Sequence, residues 1–413
     1  MSEPRVTLPL FRQRRSDGDT RLRRVSILGA TGSIGNSTLD IVRLHPEAYQ
    51  IVALVGGQNV TKMALLAAEF RPETIAMADE KAALALRNKL PQDLNYIKIA
   101  GGRQAVLEAS AVDVDISVAA ITGFAGLEPA LMAIRSGNDI ALANKEALVC
   151  AGPVFMEMAR EYQVDIVPID SEHSALFQCL LGQDLRSVEN LILTASGGPF
   201  RALAPTELGN VTVEQALAHP NWSMGNKVTI DSATMMNKGF EVIEARWLFD
   251  VEPNRLQAVI HPQSIIHSMA SFRDGGFIAQ MGLPSMMTPI SLALSWPTRL
   301  DLERSSAAIA AFDPISALSN WSGLTFEAID GDRFPCFMLA RHAMTLGIYA
   351  CTALNAANEL AVDAFLKGKI PFHTIAKLVE KSLDQVTKQG FQEVSSLADV
   401  LALDAECREQ FRL

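Results

Sequence analysis

Residues 25–35, VSILGATGSIG, run from four strand-favouring residues into a turn carrying Gly29, Gly32 and Gly35, and the amphipathic NSTLDIVRLH follows at residues 36–45. A strand that exits through glycines into a helix lets backbone approach a pyrophosphate where free N–H groups and the helix dipole favour anions. A tight structural turn is the lesser, competing reading of the bare G-x-x-G-x-x-G spacing, and its place on the first strand of a βαβ unit further favours a dinucleotide. Outward from it, IVALVGG, TIAMAD, YIKIAGG, DISVAAITG, DIALANKE and DIVPID alternate with helical stretches as far as Asp170. That alternation predicts an α/β fold, a Rossmann-like parallel sheet wrapped by helices. Several of these strands end in Gly, Asn, Asp or Glu, and open sheets of this type bind ligands beyond the carboxyl ends of their strands.

After Asp170 the texture changes. ENLILTASGGPF, KVTIDSA and the pair AVIHPQSIIHSMASFR and GFIAQMG, joined around Asp274-Gly275-Gly276, read as strands and a hairpin of a central α+β domain. Residues 298–325 have little periodicity, and past Cys336 the pattern is helical to the end. The expected organisation is an N-terminal extension (1–23), a cofactor-binding domain (24–169), a catalytic domain (170–297), a linker (298–325) and a small helical domain (326–413).

At 413 residues the chain is long enough for more than one core, and its 49% hydrophobic content describes an ordered globular protein. No apolar run approaches the roughly 18 residues needed to span a bilayer. The net charge of −10 would repel nucleic acid and anionic membrane, so neither is an expected partner, and an anionic substrate would need a local cationic pocket. Five scattered cysteines without CxxC spacing fit a reducing compartment, the cytoplasm, and exclude a Cys-ligated zinc. The first 24 residues hold seven arginines but no apolar signal-peptide core, and read as a frayed extension.

The second strand ends in Gly57-Gln58-Asn59 with no acid to accept a ribose 2′-OH, which favours NADP over NAD. Asp170 and Glu172, at i and i+2 on an extended segment, would share one spot, a costly arrangement unless a proton or cation neutralises it. Oxygen-only ligation suits Mg²⁺ or Mn²⁺, although a solvated strand end is an equal reading of this motif alone. The densest stretch runs from His219 through Trp222, Met224, Gly225, Ser232, Asn237 and Lys238 to Glu241, mixing hydroxyl, amide and ammonium donors with a further carboxylate. Asn144-Lys145-Glu146 and Ser196-Gly197-Gly198 are two more strand exits with polar groups. His173, His261 and His267 lack metal-site spacing and read as structural, as do Met235 and Met236.

Taken together, GATGSIGNSTLDIV, ANKE, DSEH, GGPF, HPNWSMG, DSATMMNKG, IEARWLF, HPQSIIHSM and TALNAANE resemble the 1-deoxy-D-xylulose-5-phosphate reductoisomerase family from about Arg24 to the C-terminus. The resemblance implies NADPH- and divalent-metal-dependent conversion of 1-deoxy-D-xylulose 5-phosphate to 2-C-methyl-D-erythritol 4-phosphate, the committed step of non-mevalonate isoprenoid synthesis. It implies Asp170, Glu172 and Glu241 as ligands of Mg²⁺ or Mn²⁺, with Co²⁺ a further candidate. Ser196, Ser232, Asn237 and Lys238 would cradle the phosphate beside His219, while Lys145 and Ser171 would touch substrate oxygens. Lys145, Asp170, Glu172, His219 and Glu241 would be catalytic. Thr31, Gly32, Ser33, Ile34, Gly57, Gln58, Asn59, Asn144, Glu146 and Gly225 match cofactor-contacting positions. Trp222 and Met224 would ride on a loop that closes over substrate. Many members have Lys where this chain has Gln58, which bears on the strength of the NADP preference. A homodimer is expected from the family. Two other classes compete. A semialdehyde-dehydrogenase-type reductase would need a nucleophilic Cys, and neither Cys150 nor Cys179 has that context; a non-enzymatic dinucleotide-binding regulator would show an eroded cation site.

Overall fold

The computed structural model describes residues 6–8, 21–219, 224–302, 309, 313–321, 323–390 and 394–412. Seven short strands form the first sheet: β1 (Arg23–Leu28), β2 (Tyr49–Gly56), β3 (Thr74–Met77), β4 (Lys98–Gly101), β5 (Ile116–Ala119), β6 (Asp139–Leu142) and β7 (Ile166–Pro168). Every pairing is parallel and the order is β4-β3-β2-β1-β5-β6-β7. Helices cover both faces, so β5, β6 and β7 are buried throughout and read as continuous apolar runs rather than alternating ones. The chain reverses direction across the sheet between β1 and β5, and the crevice opens there.

The glycine turn after β1 is fixed by close approach. Gly29 has φ +102°, and a Cβ there would lie 2.5 Å from the Ala120 carbonyl oxygen; one on Gly35 would lie 2.5 Å from that of Gly29. No other residue fits at either position without moving backbone.

The second sheet is mixed, β11 (Phe277–Met281), β10 (Ile266–Phe272), β8 (Val188–Ala195) and β9 (Leu256–Ile260) in that order, with β8 and β9 parallel and the rest antiparallel. The hairpin at Asp274-Gly275-Gly276 is as expected, but AVIHPQSIIHSMASFR is two strands. The chain breaks at His261–Ile265, where the Ser264 N–H donates to the His261 carbonyl. KVTIDSA is not a strand either; it lies in the helix Asn226–Ala233. Its Val, Thr and Ile alternate like a strand, but Lys227 pairs with Asp231 one helical turn on, and tertiary packing overrides a weak propensity.

Four helices, Pro335–Leu346, Ile348–Leu366, Thr374–Gln389 and Leu397–Gln410, follow the segment containing the short helix Pro314–Asn320. Their apolar faces share one continuous core with the helices Lys145–Glu161 and Met236–Leu248, through residues such as Leu148, Phe240, Phe337 and Leu354. The N-terminal extension is not frayed where it is described: Val6 is buried, and the Thr7 N–H donates to the Phe249 carbonyl at 2.8 Å. No helix among the described residues is long and apolar enough to cross a membrane.

Candidate active site

Register brings the polar strand exits together. Leu28 pairs with Ala119, Ala119 with Leu142, and Leu142 with Pro168, so the residues that follow each strand leave the sheet at one level. After β6, Asn144 caps the helix Lys145–Glu161. After β7, Asp170 takes the N-cap position of the helix Ser171–Leu180 and Glu172 falls in its first turn. The two carboxylates therefore converge on a helix N-terminus and not along an extended segment, in the region where the dipole favours anions. A third element, the helix Met236–Leu248, presents Asn237, Lys238 and Glu241 on one face by its i, i+3 and i+4 spacing. One oxygen from each of Asp170, Glu172 and Glu241 lies within 4.8 Å of the others.

Two ammonium groups hold this cluster. Lys145 Nζ is 2.8 Å from Asp170 Oδ2 and 2.9 Å from Glu241 Oε1, and it donates to Asn237 Oδ1 at 2.9 Å. Lys238 Nζ is 2.7 Å from Glu172 Oε1 and also contacts Glu241 Oε2. Ser171 Oγ donates to Glu172 Oε2 at 2.6 Å. Burial opposes ionisation of Asp170, but Lys145 and His173 outweigh it and hold the carboxyl well below its usual range. Burial opposes ionisation of Glu172 too, and Lys238 overcomes it, leaving the carboxyl lowered. Glu241, the most enclosed, is raised by burial and by the neighbouring Glu172 charge. Burial would depress Lys145, yet the charges of Asp170, Glu241 and Glu244 lift it well above an ordinary lysine, so it remains an ammonium.

Behind the cluster sits a pair made of His173, read from sequence as structural, and Glu244, which the sequence reading did not single out. His173, fully buried, faces the Glu241 carbonyl through Nε2 at 2.8 Å, while Nδ1 lies 3.5 Å from Asp170 and 3.4 Å from Glu244. With acceptors at both ring nitrogens the imidazolium is favoured: burial lowers its pKa, but Glu244 and Asp170 raise it to about 9. The signal was present in the sequence, since His173 follows Asp170, and Glu244 follows Glu241, by three residues on helices.

All of these groups except His173 and Glu244 border one cavity of about 600 Å³. Ser196, His219, Ser232, Asn237 and Lys238 line it, with His219 Nε2 3.2 Å from Ser196 Oγ and its pKa lowered by burial. Ser33, Ile34, Glu146 and Gly225 line it too, together with Ala120, Ile121 and Thr122. Thr31, Gly32, Gly57, Gln58 and Asn59 do not line it; they form the adjoining ends of β1 and β2, where Asn59 caps the helix Val60–Phe70 and Lys62 donates to the Thr31 carbonyl. Asn144 is buried, its amide spent on the Ile121 and Gly123 carbonyls at 2.6 and 2.9 Å. Trp222 lies outside the described residues, whereas Met224 lines the cavity. Met235 and Met236 are buried as expected, and Met235 also borders the cavity. Thr122, Ser264 and His267 join the wall unexpectedly, His267 having been read as structural.

One observation decides between a reductase with a nucleophilic cysteine and an enzyme with a carboxylate centre. All five cysteines are buried, and burial raises the Cys150 thiol well above its usual value and that of Cys179 to about 11. Comparison with known proteins agrees. The 1-deoxy-D-xylulose 5-phosphate reductoisomerase family model matches residues 25–152, and the two C-terminal domain models of the same enzyme match residues 166–249 and 281–410. The chain belongs to the 1-deoxy-D-xylulose 5-phosphate reductoisomerase family. Among reductoisomerases so named, that of Ralstonia pickettii is 48% identical over 391 residues, 94% of this chain and 96% of the relative, and that of Acidithiobacillus ferrooxidans is 49% identical over 389 residues, again 94% and 96%. A reductoisomerase solved in complex with NADPH, fosmidomycin and magnesium superposes with a TM-score of 0.88 at 41% identity, covering 94% of this chain and 97% of that one. The Zymomonas mobilis reductoisomerase in complex with NADPH gives 0.84 at 42% identity over 95% and 98%.

Proposed function

We propose that this chain converts 1-deoxy-D-xylulose 5-phosphate to 2-C-methyl-D-erythritol 4-phosphate with NADPH and Mg²⁺ or Mn²⁺, in the cytoplasm and as a homodimer. The observation that carries the reading is one cavity whose wall joins a glycine-turn crevice to three carboxylates and two ammonium groups. The donor set fits a hard divalent cation: three carboxylates in reach of one another, no sulfur, and a buried setting in which their charges need an opposing one. Asp170, Glu172 and Glu241 would hold that ion, whose contribution when bound is Lewis-acid polarisation of substrate oxygens during breakage and re-formation of the carbon skeleton. NADPH, when bound, would supply the hydride for the reduction that follows the rearrangement.

The chain's own residues then divide the work. Ser196, Ser232, Asn237 and Lys238 bind the phosphate, and His219, whose pKa burial lowers, donates or accepts beside them. Lys238 gives up part of its hold on Glu172 and Glu241 to do so. Lys145, fixed as an ammonium, and Ser171 orient the oxygens next to the breaking bond and stabilise negative charge as it develops there. Ser33, Ile34, Glu146 and Gly225 flank the reducing end of the cofactor, and Thr31, Gly32, Gly57, Gln58 and Asn59 receive its phosphates and ribose. The edge strand β11, with Phe277 and Met281 exposed, is the surface offered to the second copy.

Substrate carrying carbon-13 at C3 and C4, incubated with enzyme, NADPH and Mg²⁺, tests the reading by NMR. The one-bond coupling between the labels should vanish, both then being attached to the methyl-bearing carbon, and EDTA should stop the reaction. A coupling that survives in a linear pentitol phosphate would mean that the chain is a simple reductase.

A further inference from the structure

The helix Ile348–Leu366 adds no residue to the wall of the cavity among the described residues, yet two consecutive side chains on it bond to groups in that wall or next to it. Glu359 Oε1 accepts the backbone N–H of Phe124 at 3.0 Å. Gly123 beside it has φ +80°, and a Cβ there would lie 2.9 Å from that same oxygen, so the loop is shaped around the carboxylate. Glu359 Oε2 is held by Arg408 at 2.6 Å, and Arg408 is held in turn by Asp404 and lies 5.8 Å from the centre of the Phe124 ring. The residues just before this turn, Ala120, Ile121 and Thr122, line the cavity.

Asn358, fully buried, points the other way and donates to Asp231 Oδ1 at 2.8 Å. Asp231 Oδ2 is 3.0 Å from Lys227 Nζ, and Lys227 also holds Glu146 and sits 5.0 Å over the Phe240 ring. Glu146 accepts from Asn144 at 3.2 Å, and Asn144 grips the Ile121 and Gly123 carbonyls. The two paths therefore meet at one loop. Asn358 Oδ1 is buried with no hydrogen-bond partner among the described residues. A half-satisfied buried amide is worse for stability than an apolar side chain of its size, so packing alone does not account for it. What the amide supplies is a donor that turns Asp231 toward Lys227.

We infer that Asn358 and Glu359 are positioning residues for the cofactor: from a helix outside the cavity wall they fix Glu146, assigned above to NADPH, and the loop Ile121–Phe124, whose first two residues line the same cavity. The inference rests on that assignment. The test uses the full-length chain, with NADPH affinity followed by its fluorescence and KM measured for each substrate. Asn358→Leu and Glu359→Ala should each raise the Kd and KM for NADPH about tenfold or more, while KM for the sugar phosphate at saturating NADPH moves less than about threefold. Glu359→Gln keeps an acceptor for the Phe124 N–H and should stay within about threefold of the native Kd. In a double-mutant cycle, Lys227→Met combined with Asn358→Leu should weaken NADPH no more than the stronger single change, because both act through Asp231. Variants that melt earlier yet bind NADPH as the native chain does would make both residues merely structural and overturn the inference. So would equal losses toward both substrates. A native chain that binds no NADPH would instead overturn the proposed function.

Discussion

Gly239 offers a clean test of how tightly the helix Met236–Leu248 must be seated, because the obstacle there has no rotamers. A Cβ at position 239 would lie 2.4 Å from the Ala340 Cβ, with the Phe337 and Ala340 Cα atoms next at 3.8 and 3.9 Å. Ordinary carbon–carbon contact is about 3.5–4.0 Å, so Gly239→Ala must part the two helices by about 1 to 1.5 Å. Ala340 is fully buried on the helix Pro335–Leu346 and cannot swing aside. Overpacking of this kind costs about 1–3 kcal/mol. The larger effect concerns chemistry, since Asn237, Lys238 and Glu241 ride on the displaced helix while Lys145, Asp170 and Glu172 do not. A misplacement of about 1 Å at a reacting centre is worth about a hundredfold in rate, so kcat should fall by about that factor with NADPH affinity unchanged. Ala340→Gly in the same chain removes the clash. The double variant should recover kcat to within about threefold and stability to within about 1 kcal/mol of the native chain, because the glycine it places in one helix is offset by the glycine it removes from the other. NADPH-consumption kinetics and urea midpoints on the two single variants and the double decide the matter. Native turnover in Gly239→Ala, or a folded double variant as slow as the single, would refute the claim that this contact sets the carboxylate geometry.

Three further outcomes follow from the same site. Asp170→Asn should weaken Mn²⁺ binding by at least tenfold in calorimetry and abolish most turnover while NADPH still binds, because an amide oxygen is a poor substitute for a carboxylate; native Mn²⁺ affinity would remove Asp170 from the ligand set. Asp79 lies 3.5 Å from the Gln58 amide and caps the helix Glu80–Lys89; Asp79→Asn keeps the cap, removes a charge that repels a 2′-phosphate, and should tighten NADPH roughly two- to fivefold at low salt with NADH unmoved. An equal gain for NADH would place the 2′-phosphate elsewhere. Burial lowers the His219 pKa in the chain without ligand, and a bound phosphate must raise it, so binding is coupled to proton uptake. Calorimetry near pH 6 in buffers of different ionisation enthalpy should show that uptake in the native chain and not in His219→Gln; its presence in both would assign the proton to another group.

The parallel sheet was legible because its determinants are local. Strands buried on both faces are apolar runs wherever they occur, and Gly29 and Gly35 are where backbone passes within 2.5 Å of backbone. The carboxylate cluster was legible for a similar reason, since Asp170, Glu172 and Glu241 can be picked out by residue type before their geometry is known. How they converge was not legible. An extended Asp-Ser-Glu and a capped helix start share one sequence, and only the end of β7 at Pro168 decides between them.

KVTIDSA shows where the limit lies. Its alternation satisfies a strand, and the facts that make it a helix are the partners of its polar residues: Lys227 on Glu146, 81 positions back, and Asp231 on Asn358, 127 positions ahead. TALNAANE was equally opaque as chemistry, although it helped to mark the family, because the Glu359 acceptor site is filled by a backbone N–H 235 positions away. Periodicity reports which face of an element is apolar, and residue type reports which reactions are available. Neither reports which polar side chain a buried donor will meet. In this chain those long-range pairs link the C-terminal helices to the loop after β5, so the part of the site that local sequence leaves unread is the part that holds the two substrate-binding halves in register.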